Sequence, residues 1–151
     1  MPPLVIGITA YLATGILSLI RSRYKFWFSL LGWFGALAGL IRGSILFGRS
    51  GPLISTLGNW KGTGIEFRLD ETTLLFAGLV VTLNLFTLLY LGSRKEGTFY
   101  TLYSFLLASA YSMAFSHDLF NIYVTIEFMS LVSILLIGYE QKGYQIYAGL
   151  K

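Results

Sequence analysis

A single carboxylic acid lies near the middle of a long apolar run. Glu127 is the only charged residue of Leu119–Ile137, a run of 19 residues. As a helix, this run rises about 1.5 Å per residue and is long enough to cross roughly 30 Å of bilayer hydrocarbon. A charged group at the centre of such a helix costs on the order of 2.5–3.5 kcal/mol on insertion scales. Because folding alone does not require that cost, Glu127 is a candidate member of an ion or proton path.

Hydroxyl groups accompany Glu127 on one side of this helix. Tyr123 and Ser130 fall within about 60° of it at about 3.6 residues per turn. A carboxyl group with such neighbours has the chemistry needed to accept and pass on a proton. The alternative is a carboxylate that one basic residue holds as an assembly contact. No basic residue on another helix of this chain matches its depth, since Arg42 lies nearer the outer end, so we expect its partner on another chain.

Three other polar sites have two interpretations each. Asp118 either caps the fifth helix, which we favour, or forms with His117 the place where protons enter. Arg42 either extends its side chain to the headgroups, which we favour, or pairs with a carboxylate. Asn84 is explained equally well by a hydrogen bond between helices and by a water path. The candidate ion path therefore consists of Glu127, Tyr123, Ser130, His117 and Asp118.

The rest of the chain predicts the helices that carry these residues. Apolar residues make up 55% of the sequence and charged residues 12%, far from the average of soluble proteins. The predicted fold class is an all-α integral membrane protein, a single domain over residues 1–151 with five transmembrane helices at about 3–20, 26–47, 72–91, 99–115 and 119–137. Residues 146–151 resemble the start of a further helix. The first helix is expected to be retained rather than cleaved as a signal peptide, because its basic residues follow the apolar stretch.

A short outer β-hairpin is predicted between the second and third helices. Ile65–Leu69 alternates apolar and charged residues, the period of a half-buried strand, and Leu53–Leu57 is its expected partner. Turn residues lie between the two strands (Gly58, Asn59 and Gly62). Asp70 then precedes the third helix as a cap. Within the second helix, glycines at spacings of three and four allow a neighbouring helix to approach closely (Gly32, Gly35, Gly39 and Gly43).

The basic residues predict the orientation. With the N-terminus outside and each helix crossing once, seven lie on the inner side (Arg21, Arg23, Lys25, Arg94, Lys95, Lys142 and Lys151) and three on the outer side (Arg49, Lys61 and Arg68). This asymmetry favours an outer N-terminus and a cytoplasmic C-terminus. The scattered charges form no patch for nucleic acid. With no Cys and one His, the sequence predicts neither a metal or iron–sulfur site nor another cofactor.

Three segments resemble a known family of membrane proteins. The stretch Asp118–Glu127, followed by Ser130 and Ser133, resembles the fifth transmembrane helix of antiporter-like subunits. Gly64–Asp70 is similar to the segment leading into their third helix, and Tyr147–Lys151 to the start of their sixth. Such subunits occur in respiratory complex I, in multisubunit cation/proton antiporters, and in membrane-bound hydrogenases and related ferredoxin-linked complexes. The resemblance runs through the whole chain in order.

The resemblance implies ion translocation by a complex of several membrane subunits. In that family the glutamate at the position of Glu127 pairs with a lysine on a broken seventh helix, and protons move along buried charged residues at mid-membrane. This sequence stops where the sixth helix would begin. The family pattern therefore implies either one half of a split subunit or a reduced copy packed beside larger ones. It also implies a partner chain that supplies the buried lysine.

Three functions are compatible with these patterns. The leading one is a membrane subunit of an ion-translocating complex in a prokaryotic cytoplasmic membrane, with no catalytic centre of its own. The complex is either a respiratory-type oxidoreductase (hydrogenase, sulfur reductase or complex I-like) or an antiporter, and it moves H⁺ or Na⁺. The second is a non-conducting structural subunit in which Glu127 is an assembly contact. The third is a small standalone transporter or channel that works as an oligomer.

Overall fold

The part of the chain that the structure describes folds into five long helices and one small hairpin. The computed structural model describes residues 3–57, 64–92 and 94–139. The helices are α1 (Pro3–Ile20), α2 (Lys25–Ser50), α3 (Glu71–Leu91), α4 (Gly97–Phe115) and α5 (Leu119–Gly138), with a 3-10 turn, Ser22–Tyr24, between the first two. The strands are β1 (Leu53–Leu57) and β2 (Ile65–Leu69). The expected turn residues Gly58, Asn59 and Gly62 and the expected further helix at 146–151 lie outside the described residues.

Three of the helices are long and apolar enough to cross a membrane by length and composition. Within the described part of the chain these are α2, α3 and α5, while α1 contributes a shorter apolar stretch, Val5–Ile20. Helix α4 is rich in tyrosine, serine and threonine, which lower its mean hydropathy. Most of these hydroxyl side chains face the protein interior, where other helices rather than lipid surround them. The apolar helices therefore agree with the predicted class of helical membrane protein.

The first four helices form an antiparallel bundle that buries an aromatic core. Helix α1 packs against α2 and α4, α2 packs against α3, and α3 packs against α4. Three tyrosines are almost fully buried between these helices, namely Tyr11, Tyr100 and Tyr111. The ring of Phe115 packs against that of Tyr111 with centroids 5.1 Å apart. Helix α5 packs mainly on α4, so it sits at the outside of the bundle. Among the described residues, this position leaves a large part of the α5 surface uncovered.

Glycines of α2 permit its close contact with α1. An added Cβ at Gly35 would lie 2.4 Å from the Cβ of Ala10, and one at Gly32 would lie 2.5 Å from Oγ1 of Thr14. Both distances are shorter than real contacts of a Cβ atom. At Gly35 the opposing atom is a Cβ fixed to the α1 backbone, so a larger residue would move a helix, whereas at Gly32 the hydroxyl group of Thr14 would have to shift. The prediction of close helix packing along this glycine stripe is confirmed there.

The hairpin is confirmed at one end of the bundle. Strands β1 and β2 pair antiparallel, with Ser55 opposite Phe67. The alternation of β2 places Phe67 and Leu69 in the core, where they are 4% and 2% exposed. Asp70 then caps α3, because its side chain accepts a hydrogen bond from the backbone N–H of Thr73 at 2.9 Å. The α2 helix ends later than expected, at Ser50, because Gly51 adopts a positive φ of 71° and Pro52 follows it.

Candidate functional site

Helix α5 is held against α4 by one face. Its buried residues are Asn121, Thr125 and Val132, and the ring of Phe128 packs against Phe105 of α4 with centroids 6.1 Å apart. The Thr125 hydroxyl donates to the carbonyl of Asn121 at 2.6 Å, and the Asn121 amide donates to the hydroxyl of Ser116 at 2.8 Å. The polar groups of the covered face are therefore satisfied within the chain. This packing fixes which side of α5 faces outward.

Glu127 lies on that outward side. At about 100° per residue it is turned about 120–160° from the three buried residues. It is exposed in this chain, as are Tyr123, which is 63% exposed, and Ser130. Tyr123 lies one turn before Glu127 on the same side of α5, about 40° around the helix. The structure thus brings Glu127 and Tyr123 together, and Ser130 lies on the same side of α5 one turn further along.

No cation of the described chain neutralises Glu127. Within residues 3–57, 64–92 and 94–139, the observed ion pair joins Arg68 to Asp70 and does not include Glu127. The Nε atom of Arg68 and the Oδ2 atom of Asp70 are 2.9 Å apart. Arg42 is exposed on α2 and also forms no ion pair in this part of the chain. The neighbouring Gly43 lies beside Leu69 and Leu74, so Arg42 is level with the start of α3. That depth favours extension of the Arg42 side chain to the headgroups over a pairing deep in the membrane.

His117 and Asp118 lie at a different level. Oδ1 of Asp118 accepts a hydrogen bond from the backbone N–H of Phe120 at 3.1 Å, so Asp118 caps α5 as the favoured interpretation had it. The backbone N–H of His117 donates to the carbonyl of Glu66 at 2.9 Å, and Ser116 forms a bridge with Phe67. The α4–α5 turn is thereby joined to the hairpin. Nine residues separate Asp118 from Glu127, about 13–14 Å along the helix, so the structure does not bring the two sites together.

A polar cluster lies inside the bundle, and only its Asn84 member was among the candidates from the sequence. Nδ2 of Asn84 donates to the hydroxyl of Tyr11 at 3.0 Å, and the hydroxyl of Tyr103 donates to Oδ1 of Asn84 at 3.1 Å. Asn84 is fully buried, so these bonds between α1, α3 and α4 account for its polar side chain. Of the two interpretations of Asn84, the hydrogen bond between helices is the one observed. The many hydroxyl side chains of α4 indicated that polar contacts lie inside the bundle, but the sequence does not show which residues bond to Asn84.

Two apolar grooves flank α5. One, of about 170 Å³, lies between α1, α4 and α5 and includes Leu12, Ser109 and Phe128 in its lining. The other, of about 300 Å³, lies on the opposite side, between α3, α4 and α5, and includes Val80, Met113 and Met129. Both exist because α5 rests mainly on α4. The outward face of α5 is therefore continuous with apolar surface on both sides.

Comparison with solved structures identifies a shared fold. No protein-family model matches the sequence, and no curated protein matches it. The chain aligns with a TM-score of 0.82 and 18% sequence identity to a chain of the membrane-bound sulfane sulfur reductase, an archaeal respiratory membrane complex. The alignment covers 98% of this chain and 32% of that one, so this chain spans about a third of the length of the protein it matches. At this level of identity the likeness shows the fold, which is that of part of a chain in a membrane complex.

Proposed function

We propose that this chain is a membrane subunit of a multisubunit ion-translocating complex and that Glu127 takes part in moving H⁺ or Na⁺. The complex is of the respiratory or cation/proton antiporter kind, and the chain corresponds to the N-terminal part of an antiporter-like subunit. It lies in a prokaryotic cytoplasmic membrane with its N-terminus outside. The observation that carries the proposal is the place of Glu127, which lies near the middle of α5 on a face that the described residues leave uncovered.

All five helices cross the bilayer in this proposal. The α1–α2 and α3–α4 turns lie at one end of the bundle, where Lys25 and Glu96 line a common cleft. The hairpin and the α4–α5 turn meet at the other end. Each helix therefore runs through the same thickness, including α1, whose 18 residues rise about 27 Å. The hydroxyl groups of α4 face its neighbours rather than lipid, which makes its lower hydropathy compatible with a crossing.

In this proposal a second polypeptide covers the exposed carboxyl group of Glu127. A charged carboxylate facing hydrocarbon is costly, so Glu127 is either protonated or covered by a group that stabilises its charge. A partner subunit whose lysine approaches Glu127 from the outward side of α5 satisfies that requirement. The apolar grooves beside α5 supply the surrounding surface for helix packing. The carboxylate and the Tyr123 hydroxyl then form the part of the ion path that belongs to this chain.

Substitution in the assembled complex tests the proposal. Glu127→Gln keeps the shape and hydrogen bonding of the side chain but removes its titration, so the complex should assemble while ion flux into vesicles falls at least tenfold. Glu127→Asp should retain part of the flux. The matched control is Glu66→Gln, the same chemical change at an exposed carboxylate of the hairpin, which should leave flux unchanged. Normal flux in an intact Glu127→Gln complex refutes the role in ion movement.

The structural-subunit hypothesis makes the opposite prediction. If Glu127 serves only as an assembly contact, Glu127→Gln lowers the yield of intact complex, and the complex that does form transports at the normal rate per molecule. The exposed position of Glu127 suits such a contact as well as it suits a relay. Measuring the amount of complex and the flux per complex in the same preparation separates the two functions.

A further inference from the structure

The two ends of the helix bundle differ in charge. The end formed by the α1–α2 and α3–α4 turns carries one described acidic residue, Glu96, and five basic ones (Arg21, Arg23, Lys25, Arg94 and Lys95). We call it the basic end. The opposite end, with the hairpin and the α4–α5 turn, carries four acidic residues (Glu66, Asp70, Glu71 and Asp118) and three basic ones (Arg42, Arg49 and Arg68). Across the described residues, positive charge is therefore concentrated at one end.

A cleft opens at the basic end between α1 and α4. It has a volume of about 280 Å³, and its lining residues are Leu19, Lys25, Glu96, Gly97 and Thr98. The first residue of α2, Lys25, contributes an ammonium group, and the exposed Thr98 contributes a hydroxyl group. Arg94 is exposed two residues before Glu96. Lys95 is already engaged, since its ammonium group lies over the rings of Phe99 and Tyr139.

Exposed apolar and aromatic side chains surround these charges. Ile20 is 71% exposed, Trp27 is 63% exposed and Tyr90 is 79% exposed. All three lie within a few residues of the turns that form the basic end. Aromatic side chains beside basic ones are typical of the boundary between hydrocarbon and headgroups, and the acidic surface of a water-soluble partner would not cover so much apolar area. The chemistry of the basic end therefore fits a lipid surface.

We propose that the basic end binds anionic phospholipid headgroups and that the cleft beside Lys25 and Thr98 seats one of them. The headgroup phosphate lies against the ammonium group of Lys25, which lines the cleft, and the exposed guanidinium group of Arg94 beside the cleft adds to its attraction. The acyl chains follow the apolar surface near Leu19 and Trp27. Each basic residue near an anionic lipid strengthens binding about fivefold. This inference concerns the lipid around the subunit and stands independently of any ion path.

Lipid titration of the purified full chain tests the inference. Native mass spectrometry in mild detergent measures the dissociation constants of phosphatidylglycerol and of phosphatidylcholine with the same acyl chains. Phosphatidylglycerol should bind more tightly, and the double variant Lys25→Gln/Arg94→Gln should bind it about 25-fold more weakly. The matched control Arg42→Gln/Arg49→Gln removes two exposed basic residues from the other end and should keep the preference. The preference should also fall as salt is raised.

Additional variants and measurements test the proposal even if Lys25→Gln/Arg94→Gln folds poorly. The charge-conserving variant Lys25→Arg/Arg94→Lys should retain the preference, and its loss there would overturn the proposal. Equal affinity of the wild-type chain for the two lipids would overturn it as well. Displacement of the lipid by inorganic phosphate, beyond that caused by sodium chloride at the same ionic strength, would assign the cleft to a free anion instead. Crosslinking of Arg94→Cys to a water-soluble subunit in the assembled complex would assign the basic end to a protein.

Discussion

The contact between Gly35 and Ala10 offers the sharpest test of the packing. A Cβ at Gly35 would lie 2.4 Å from the Cβ of Ala10, whereas ordinary contacts begin at 3.4 Å. Both atoms are fixed to helix backbones, so Gly35→Ala requires α1 and α2 to separate by about 1 Å. Overpacking of this kind costs about 1–3 kcal/mol, and the better helix propensity of alanine returns about 1 kcal/mol. Because neither atom can rotate away, the overpacking cost should lie in the upper part of that range, so we expect a net loss of about 1–2 kcal/mol.

Two variants make the comparison specific. Gly48 is on the same helix with nothing within 4 Å of an added Cβ, so Gly48→Ala should leave stability unchanged or raise it by up to about 1 kcal/mol. The exchange Ala10→Gly/Gly35→Ala removes the clash while keeping one alanine and one glycine. It should restore the stability to within about 0.5 kcal/mol of the original chain, although Ala10→Gly alone is destabilising.

The assay is unfolding of the purified chain in detergent micelles. Titration with sodium dodecyl sulfate, followed by circular dichroism and tryptophan fluorescence, gives the differences in free energy of unfolding. Trp33 reports on the bundle directly, because its indole N–H donates to the carbonyl of Val81 at 2.9 Å. Equal stabilities of Gly35→Ala and Gly48→Ala would refute the reasoning. So would an exchange variant that is as unstable as Gly35→Ala.

Two further predictions concern the polar core and the orientation. Asn84→Leu keeps much of the side-chain volume but removes the hydrogen bonds to Tyr11 and Tyr103, so it should lower the free energy of unfolding by about 1–3 kcal/mol. The control Thr82→Val loses only a bond within its own helix, and it should change the free energy of unfolding by less than about 0.5 kcal/mol. A loss no larger than that of Thr82→Val would show that the cluster does not hold the helices together. For the orientation, an impermeant thiol reagent added to intact cells should label Ser50→Cys and spare Thr98→Cys, because the chain has no native cysteine and these exposed positions lie at opposite ends of the bundle. Labelling of Thr98→Cys alone would reverse the orientation.

The elements of this fold follow from local patterns. Runs of apolar residues predicted the positions of the helices, and the alternation of Ile65–Leu69 predicted the strand that places Phe67 and Leu69 in the core. The cap at Asp70 followed from its residue type and position. Each of these depends on residues within a few positions of one another. Helix ends were less predictable, since α2 continues through Gly48 and Arg49 after its apolar run has ended.

The sequence alone singles out Glu127 as a candidate, but it does not give the surroundings of this residue. The candidate follows from a lone carboxyl group in an apolar run of bilayer length, and Tyr123 follows from one turn of helix. The face of α5 that is covered depends on how it packs on α4, and the apolar residues around its circumference do not single out one side. The partners of Asn84 lie 73 and 19 residues away on other helices. Only the tertiary structure decided these points, because contacts between distant helices depend on three-dimensional packing that no local pattern records.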